Sequence, residues 1–142
     1  MLAYNDELDM LPSYLQQLHM ESNGKSVDRA GRPVANSSPV VWGGAGLEGQ
    51  HAYYQMLHQG TWPVPCDFIA AVKTGRDGGL ETDNFALANC FAQARALMEG
   101  RPHDDPHRRL GGDRPSNIVL VKALNPHGFG MLLALYLSLI HI

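Results

Sequence analysis

Apolar positions along the chain alternate between a helical period and short continuous runs. From Leu8 to Met20, Leu8, Leu11, Leu15 and Leu18 recur at spacings of three, four and three, which is one face of a short amphipathic helix. Pro12 is compatible with that helix only at its start, and Ser22, Asn23 and Gly24 stop it. Ser26 to Ser38 is rich in turn formers and predicts an irregular or hairpin-like excursion. Three apolar runs then read as buried strands: Pro39–Gly43, Val64–Val72 and Ser116–Leu124. Between the first two, Glu48–Gly60 predicts a helix with Tyr54, Met56 and Leu57 facing inward and Gly60 as its stop. Asp83–Glu99 predicts a longer helix through Phe85, Leu87, Ala88, Phe91, Ala94 and Leu97, ended by Gly100 and Pro102. The glycine-rich stretch 75–79 and the polar stretch 101–115 read as loops, and a closing helix starts near Pro126.

After the first helix the order is therefore β, α, β, α, β, α. That alternation predicts an α/β fold with a parallel sheet, right-handed crossover helices on both faces, and ligands at the carboxyl ends of the strands.

Composition narrows the function classes. The 142 residues carry 11 Lys and Arg against 14 acidic residues, a formal net charge of −3 with the cations scattered, which excludes a nucleic-acid stripe. Cys66 and Cys90 form no CxxC pair and no zinc-type spacing with histidine, so the expectation is reduced thiols, no metal site and a cytoplasmic protein. The first residues lack a signal-peptide pattern, and no apolar run reaches the roughly 18 residues that cross a bilayer. The most apolar stretch, from Gly130, contains Ser138 and His141 and reads as a buried helix.

Gly43, Gly44, Ala45 and Gly46 fit either a phosphate-cradling turn at a helix start or a tight strand-to-helix turn needing positive φ values. The residues alone favour the turn. His58 reads as a packed, hydrogen-bonded histidine, and His19, His103, His107, His127 and His141 read as solvated.

The sharper signal is Tyr14–Lys25, YLQQLHMESNGK, which resembles a motif of the glucose-6-phosphate isomerase family through Gln17 and Met20–Lys25. The resemblance continues in order through VVWGGAGLEGQHAYYQMLHQGT, VPCDFIA, FAQARALMEG and DRPSNIVL. It implies a three-layer αβα sugar-isomerase (SIS) fold, incomplete here, with residues 1–136 forming part of the C-terminal SIS domain and 137–142 an unrelated tail. By that resemblance Glu21 is the catalytic base, which moves a proton between C2 and C1 of an open-chain sugar phosphate through a cis-enediol(ate). His51 matches the histidine that assists ring opening, and in the family's dimer it reaches the partner's site. Gln17 matches a glutamine beside the phosphate and sugar oxygens. The implied substrate is glucose 6-phosphate or fructose 6-phosphate, the implied assembly a homodimer, and no metal or other cofactor is called for.

Two departures qualify this. Gly43–Gly49 reads Gly-Gly-Ala-Gly-Leu-Glu-Gly where the family has Gly-Glu-Pro-Gly-Thr-Asn-Gly, which predicts a looser loop before His51. The family's first sugar-isomerase domain and its lysine-bearing C-terminal segment have no counterpart in these residues, so the chain alone is expected to be inactive, with a non-catalytic sugar-phosphate-binding module as the alternative.

Overall fold

The computed structural model describes residues 1–73 and 80–138, with the side chains of 80–83 left aside. The loop read at 75–79, His141 and the last four residues of the 137–142 tail lie outside the described residues.

Four parallel strands form one sheet in the order β2-β1-β3-β4, with β1 at Leu2–Ala3, β2 at Gly44–Ala45, β3 at Cys66–Ala71 and β4 at Ser116–Val121. The parallel α/β architecture expected from the element order is present. One interior strand was not legible as such: β1 pairs Leu2 with both Gly44 and Phe68, and Ala3 with both Ala45 and Ile69. Two paired residues are too few to show a period. The run Pro39–Gly43, expected as a buried strand, is extended chain outside the sheet with Val40 exposed, and pairing begins only at Gly44. The loop expected at Gly44–Ala45 is thus an edge strand.

Helices cover the sheet as crossover units require. α1 (Leu11–Gln16) has Pro12 in its first turn and continues through a π turn at Gln17–Glu21, with Ser22 and Asn23, expected as part of its stop, still helical. α2 (Gly46–Gly49) and α3 (Tyr54–Gln59) divide the single helix expected over 48–60. α4 (Leu80–Glu99) ends at Gly100, whose φ of 68° is the left-handed C-terminal stop. α5 (Pro126–Ser138) is the closing helix and includes Leu137 and Ser138 of the tail. The excursion at 26–38 is hairpin-like, with Val27 bridging Pro33 in antiparallel fashion and Asp28 accepting from the amides of Ala30 and Arg32.

The core divides at the sheet. One side packs Tyr4, Phe68, Tyr54, Leu57, Cys90 and Leu97; the other packs Leu8, Leu11, Leu15, Ile69, Val121, Leu132 and Tyr136. In α4 the inner face is Ala86, Cys90, Ala94 and Leu97, spaced four, four and three, while Phe85, Ala88 and Phe91 of the expected face are exposed. Small residues let the helix lie close to β3, so the bulky aromatics point outward. Met56 is also exposed. Burial pushes the Cys90 thiol up to about 11, which suits a packed residue rather than a reactive one. Both cysteines are free.

Where the β1 ladder runs out, Asn5 takes over. Its Oδ1 accepts from the amide of Ala71 at 2.6 Å, a buried bond spanning 66 residues. Asn5→Ala should leave that N–H without a partner and lower unfolding stability by about 1–3 kcal/mol, read from urea denaturation; an unchanged midpoint would count against it.

β4 forms one edge of the sheet, and it departs from the expectation of strands covered on both faces: Ile118 and Leu120 are exposed on one face, while Val119 and Val121 pack into the core on the other. Beside it a hollow of about 680 Å³ is lined by Phe91, Met98, Arg114 and Ile118. An open edge with apolar flanks favours strand-to-strand association. The isolated chain should therefore elute from size exclusion as oligomers, and Ile118→Lys with Leu120→Lys should shift it toward monomer. A sharply cooperative monomer without those changes would contradict this.

Candidate active site

Glu21 sits in the last turn of a helix that ends at Asn23, and the carbonyls of that turn are all partnered. The last four carbonyls of a helix lack intrahelical donors; here those of Met20, Glu21, Ser22 and Asn23 each have a partner, Asn23 accepting from the Lys25 amide at 2.7 Å. The His19 carbonyl accepts from the Ser22 amide and, at 3.1 Å, from the Ser38 hydroxyl. The Met20 carbonyl accepts from the Gly24 amide at 3.0 Å. The Glu21 and Ser22 carbonyls accept from Lys25 Nζ at 2.9 and 2.6 Å. A Cβ on Gly24 would lie 2.1 Å from the Met20 carbonyl oxygen, so the tight return of the chain requires glycine there. The Val41 amide meets the Met20 sulfur at 3.3 Å, tying the same terminus to the segment that leads into β2.

Gln17 and Glu21 bound the π turn, four residues apart, and both are exposed. That spacing sets the two side chains on a common face, an amide beside a carboxylate. π turns inside α-helices are frequent at functional sites. His19, between them, is buried at 5% exposure, a correction to its reading as solvated: it points to the opposite side from Gln17 and Glu21 and lines a cavity of about 320 Å³ with Trp42, Cys66, Asp67 and Tyr136. Asp67 is held there by Asn117 Nδ2 at 2.9 Å and the Tyr136 hydroxyl at 3.1 Å.

His51 is exposed and follows α2. α2 leaves the carboxyl end of β2, whereas the helix that began beyond β1 returns to the amino ends of the strands, where His19 meets the first residues of β3. The fold therefore brings Gln17 and Glu21 together and places His51 toward the other end of the sheet. Glu21 lies away from the carboxyl-end crevice that a parallel sheet ordinarily offers. His58 is packed as expected, its Nε2 3.0 Å from Gln93 Oε1.

The glycines before His51 serve close approach to aromatic rings. A Cβ on Gly46 would lie 2.3 Å from the Tyr4 ring, and one on Gly49 would lie 2.6 Å from the Tyr53 hydroxyl. Only Gly43 of this run has positive φ, at 148°. The turn expected over Gly43–Gly46 is replaced by the edge strand Gly44–Ala45 running directly into α2, and the glycines meet a need for space more than for left-handed backbone. α2 is four residues long, too short to present an anion-binding terminus. Among the described residues, no group of three or more His, Cys, Asp or Glu is arranged to hold a metal, and no helix is long and apolar enough to cross a membrane.

Fold and site together define a parallel-sheet α/β protein with an exposed carboxylate and amide displayed from a capped helix end. A family model for phosphoglucose isomerase matches residues 1–142, and the chain belongs to that family. It is 50% identical to the glucose-6-phosphate isomerase of Cupriavidus metallidurans over 96% of the chain and 27% of the relative. The corresponding enzyme of Novosphingobium aromaticivorans is 49% identical, over 94% of the chain and 27% of its own length. The crystal structure of a glucose-6-phosphate isomerase from Chlamydia trachomatis superposes with a TM-score of 0.86 at 39% identity, covering 96% of this chain and 28% of that one. The chain thus spans about 27% of the length of these relatives.

Tyr4, which packs against Gly46, shares a buried 2.6 Å bond with the Tyr54 hydroxyl. Burial pushes the Tyr4 phenol from 10.0 up to about 12 and raises Tyr54 as well. Because the folded value lies above the unfolded one, this contribution is whole below pH 10.0 and lost as pH rises toward about 12. Stability should hold up to pH 10 and fall beyond it, with Tyr4→Phe flattening the fall; equal alkaline loss in both proteins would refute the assignment.

Proposed function

We propose that the protein is a segment of a glucose-6-phosphate isomerase, residues 1–136 belonging to its C-terminal sugar-isomerase domain. The observation that carries this reading is the joint display of Gln17 and Glu21 on a π turn with all four terminal carbonyls capped. A carboxylate held in that manner suits a base that takes a proton from C2 of an open-chain aldose phosphate and returns it to C1 of the enediolate, once water is excluded. Gln17 donates and accepts hydrogen bonds to sugar or phosphate oxygens without competing for the proton.

His51 assists ring opening from a second copy in this reading. Its position toward the other end of the sheet from Glu21 supports a site completed between two chains, and a homodimer follows. The substrates are glucose 6-phosphate and fructose 6-phosphate, and the compartment is the cytoplasm, in keeping with free, buried Cys66 and Cys90. The exposed apolar edge at β4 and the separation of Glu21 from His51 leave one alternative, a sugar-phosphate-binding module without turnover.

A coupled assay converting fructose 6-phosphate to glucose 6-phosphate separates the two. The 142-residue chain alone should show no turnover. Substituted for the matching segment of the Cupriavidus metallidurans enzyme, it should support turnover that drops about 10²–10⁴-fold in Glu21→Gln. Turnover indifferent to Glu21→Gln would overturn the assignment of the base; turnover by the chain alone, abolished by that change, would establish a self-sufficient enzyme instead.

A further inference from the structure

We infer that Lys25 is a positioning residue for Glu21, acting through the helix terminus rather than on substrate; this rests on the isomerase reading of Glu21. Lys25 Nζ supplies the partner for two of the four terminal carbonyls, those of Glu21 itself and of Ser22, at 2.9 and 2.6 Å. Its ammonium also lies at the negative end of the helix dipole, where a cation is favoured. The bonds run to backbone oxygens, so the lysine fixes φ and ψ at the residue that bears the carboxylate and leaves the carboxylate itself uncommitted.

Three features make the contact more than a surface lysine folding onto its own helix. Gly24 is required for the chain to double back, since a Cβ there would meet the Met20 carbonyl oxygen at 2.1 Å, and that reversal delivers Lys25 to the terminus. The Lys25 amide also donates to the Asn23 carbonyl at 2.7 Å, holding the start of the side chain in place. From the other direction, Ser38 and Val41 grip His19 and Met20. Glu21 is thus reached by two sets of bonds, one from 24–25 and one from 38–41. Removing Lys25 frees the side of the terminus that Glu21 occupies and leaves the His19–Met20 side held.

A base working on a carbon-bound proton depends steeply on placement, because a misplacement of about 1 Å costs on the order of 10²-fold in rate. Lys25 therefore bears on kcat and not on substrate affinity, and the feature it supplies is a cation able to reach two carbonyls. Arginine can reproduce that; methionine, of similar length and apolar, cannot.

Hydrogen exchange by mass spectrometry on the 142-residue chain tests the cap directly. Lys25→Met should raise exchange about five-fold or more in a peptide covering residues 17–26 while leaving the β3 and β4 peptides unchanged, and Lys25→Arg should restore it. In the Cupriavidus metallidurans chimaera, Lys25→Met should lower kcat about ten-fold or more with KM held within about two-fold, and Lys25→Arg should recover most of it. Unchanged exchange at 17–26, or a change in KM alone, overturns the inference. A chimaera inactive before any substitution at Lys25 counts against the isomerase reading, and the exchange result then decides on Lys25.

Discussion

The sheet depends on a strand of two residues. β1 is hydrogen-bonded on both sides, so Leu2 and Ala3 join β2 to the rest of the sheet, and Leu2, Ala3, Tyr4 and Asn5 are all buried. Such a short ladder supplies few bonds, and the contacts that follow it make up the difference. The Tyr4 amide donates to the Ile69 carbonyl at 2.8 Å, the Asn5 side chain substitutes for backbone on Ala71, and the Tyr4 ring lies 5.9 Å from that of Phe68. The helix that carries Glu21 starts just beyond this anchored stretch, so the placement of the carboxylate is inherited from β1.

What was legible in the sequence follows from where the signals are strong. Phe68–Ala71 is a continuous apolar, buried run because both faces of β3 are covered, and it reads as a strand in spite of Asp67 near its start. Gly100 and the leucines at 8, 11 and 15 mark their elements for equally plain reasons, a left-handed stop and a buried stripe. β1 escaped because two residues carry no period. Pro39–Gly43 misled because apolar, β-branched residues suggest a sheet, yet Val41 and Trp42 are only half-buried and pack as extended chain against its edge. In α4, large side chains were assigned inward, when close packing against β3 selects alanine and cysteine.

For the site, the motif named the residues and the fold supplied what no motif could: Gln17 and Glu21 share a face, and His51 does not join them. His19 shows the limit of reading a polar residue in isolation, for Gln17, Met20 and Glu21 around it are exposed while it turns inward beside Asp67 and Tyr136. The π turn has no sequence signature either. The Ser38 and Lys25 contacts that secure it arise from a chain reversal and a hairpin-like excursion, which only the folded arrangement brings together.

Strand order also fixes a schedule. β1 precedes its inner neighbour β3 in synthesis by some 66 residues, the separation of Asn5 from Ala71. At about 5–20 residues per second, Leu2 and Ala3 wait several seconds for that partner to exist. The turn bearing Glu21 is under no such delay, since its caps come from Gly24, Lys25 and Ser38, all within 19 residues. The end of the helix that bears Glu21 can therefore be assembled on the nascent chain well before the sheet that orients it, and the interval between the two is when this protein is most exposed to wrong pairings.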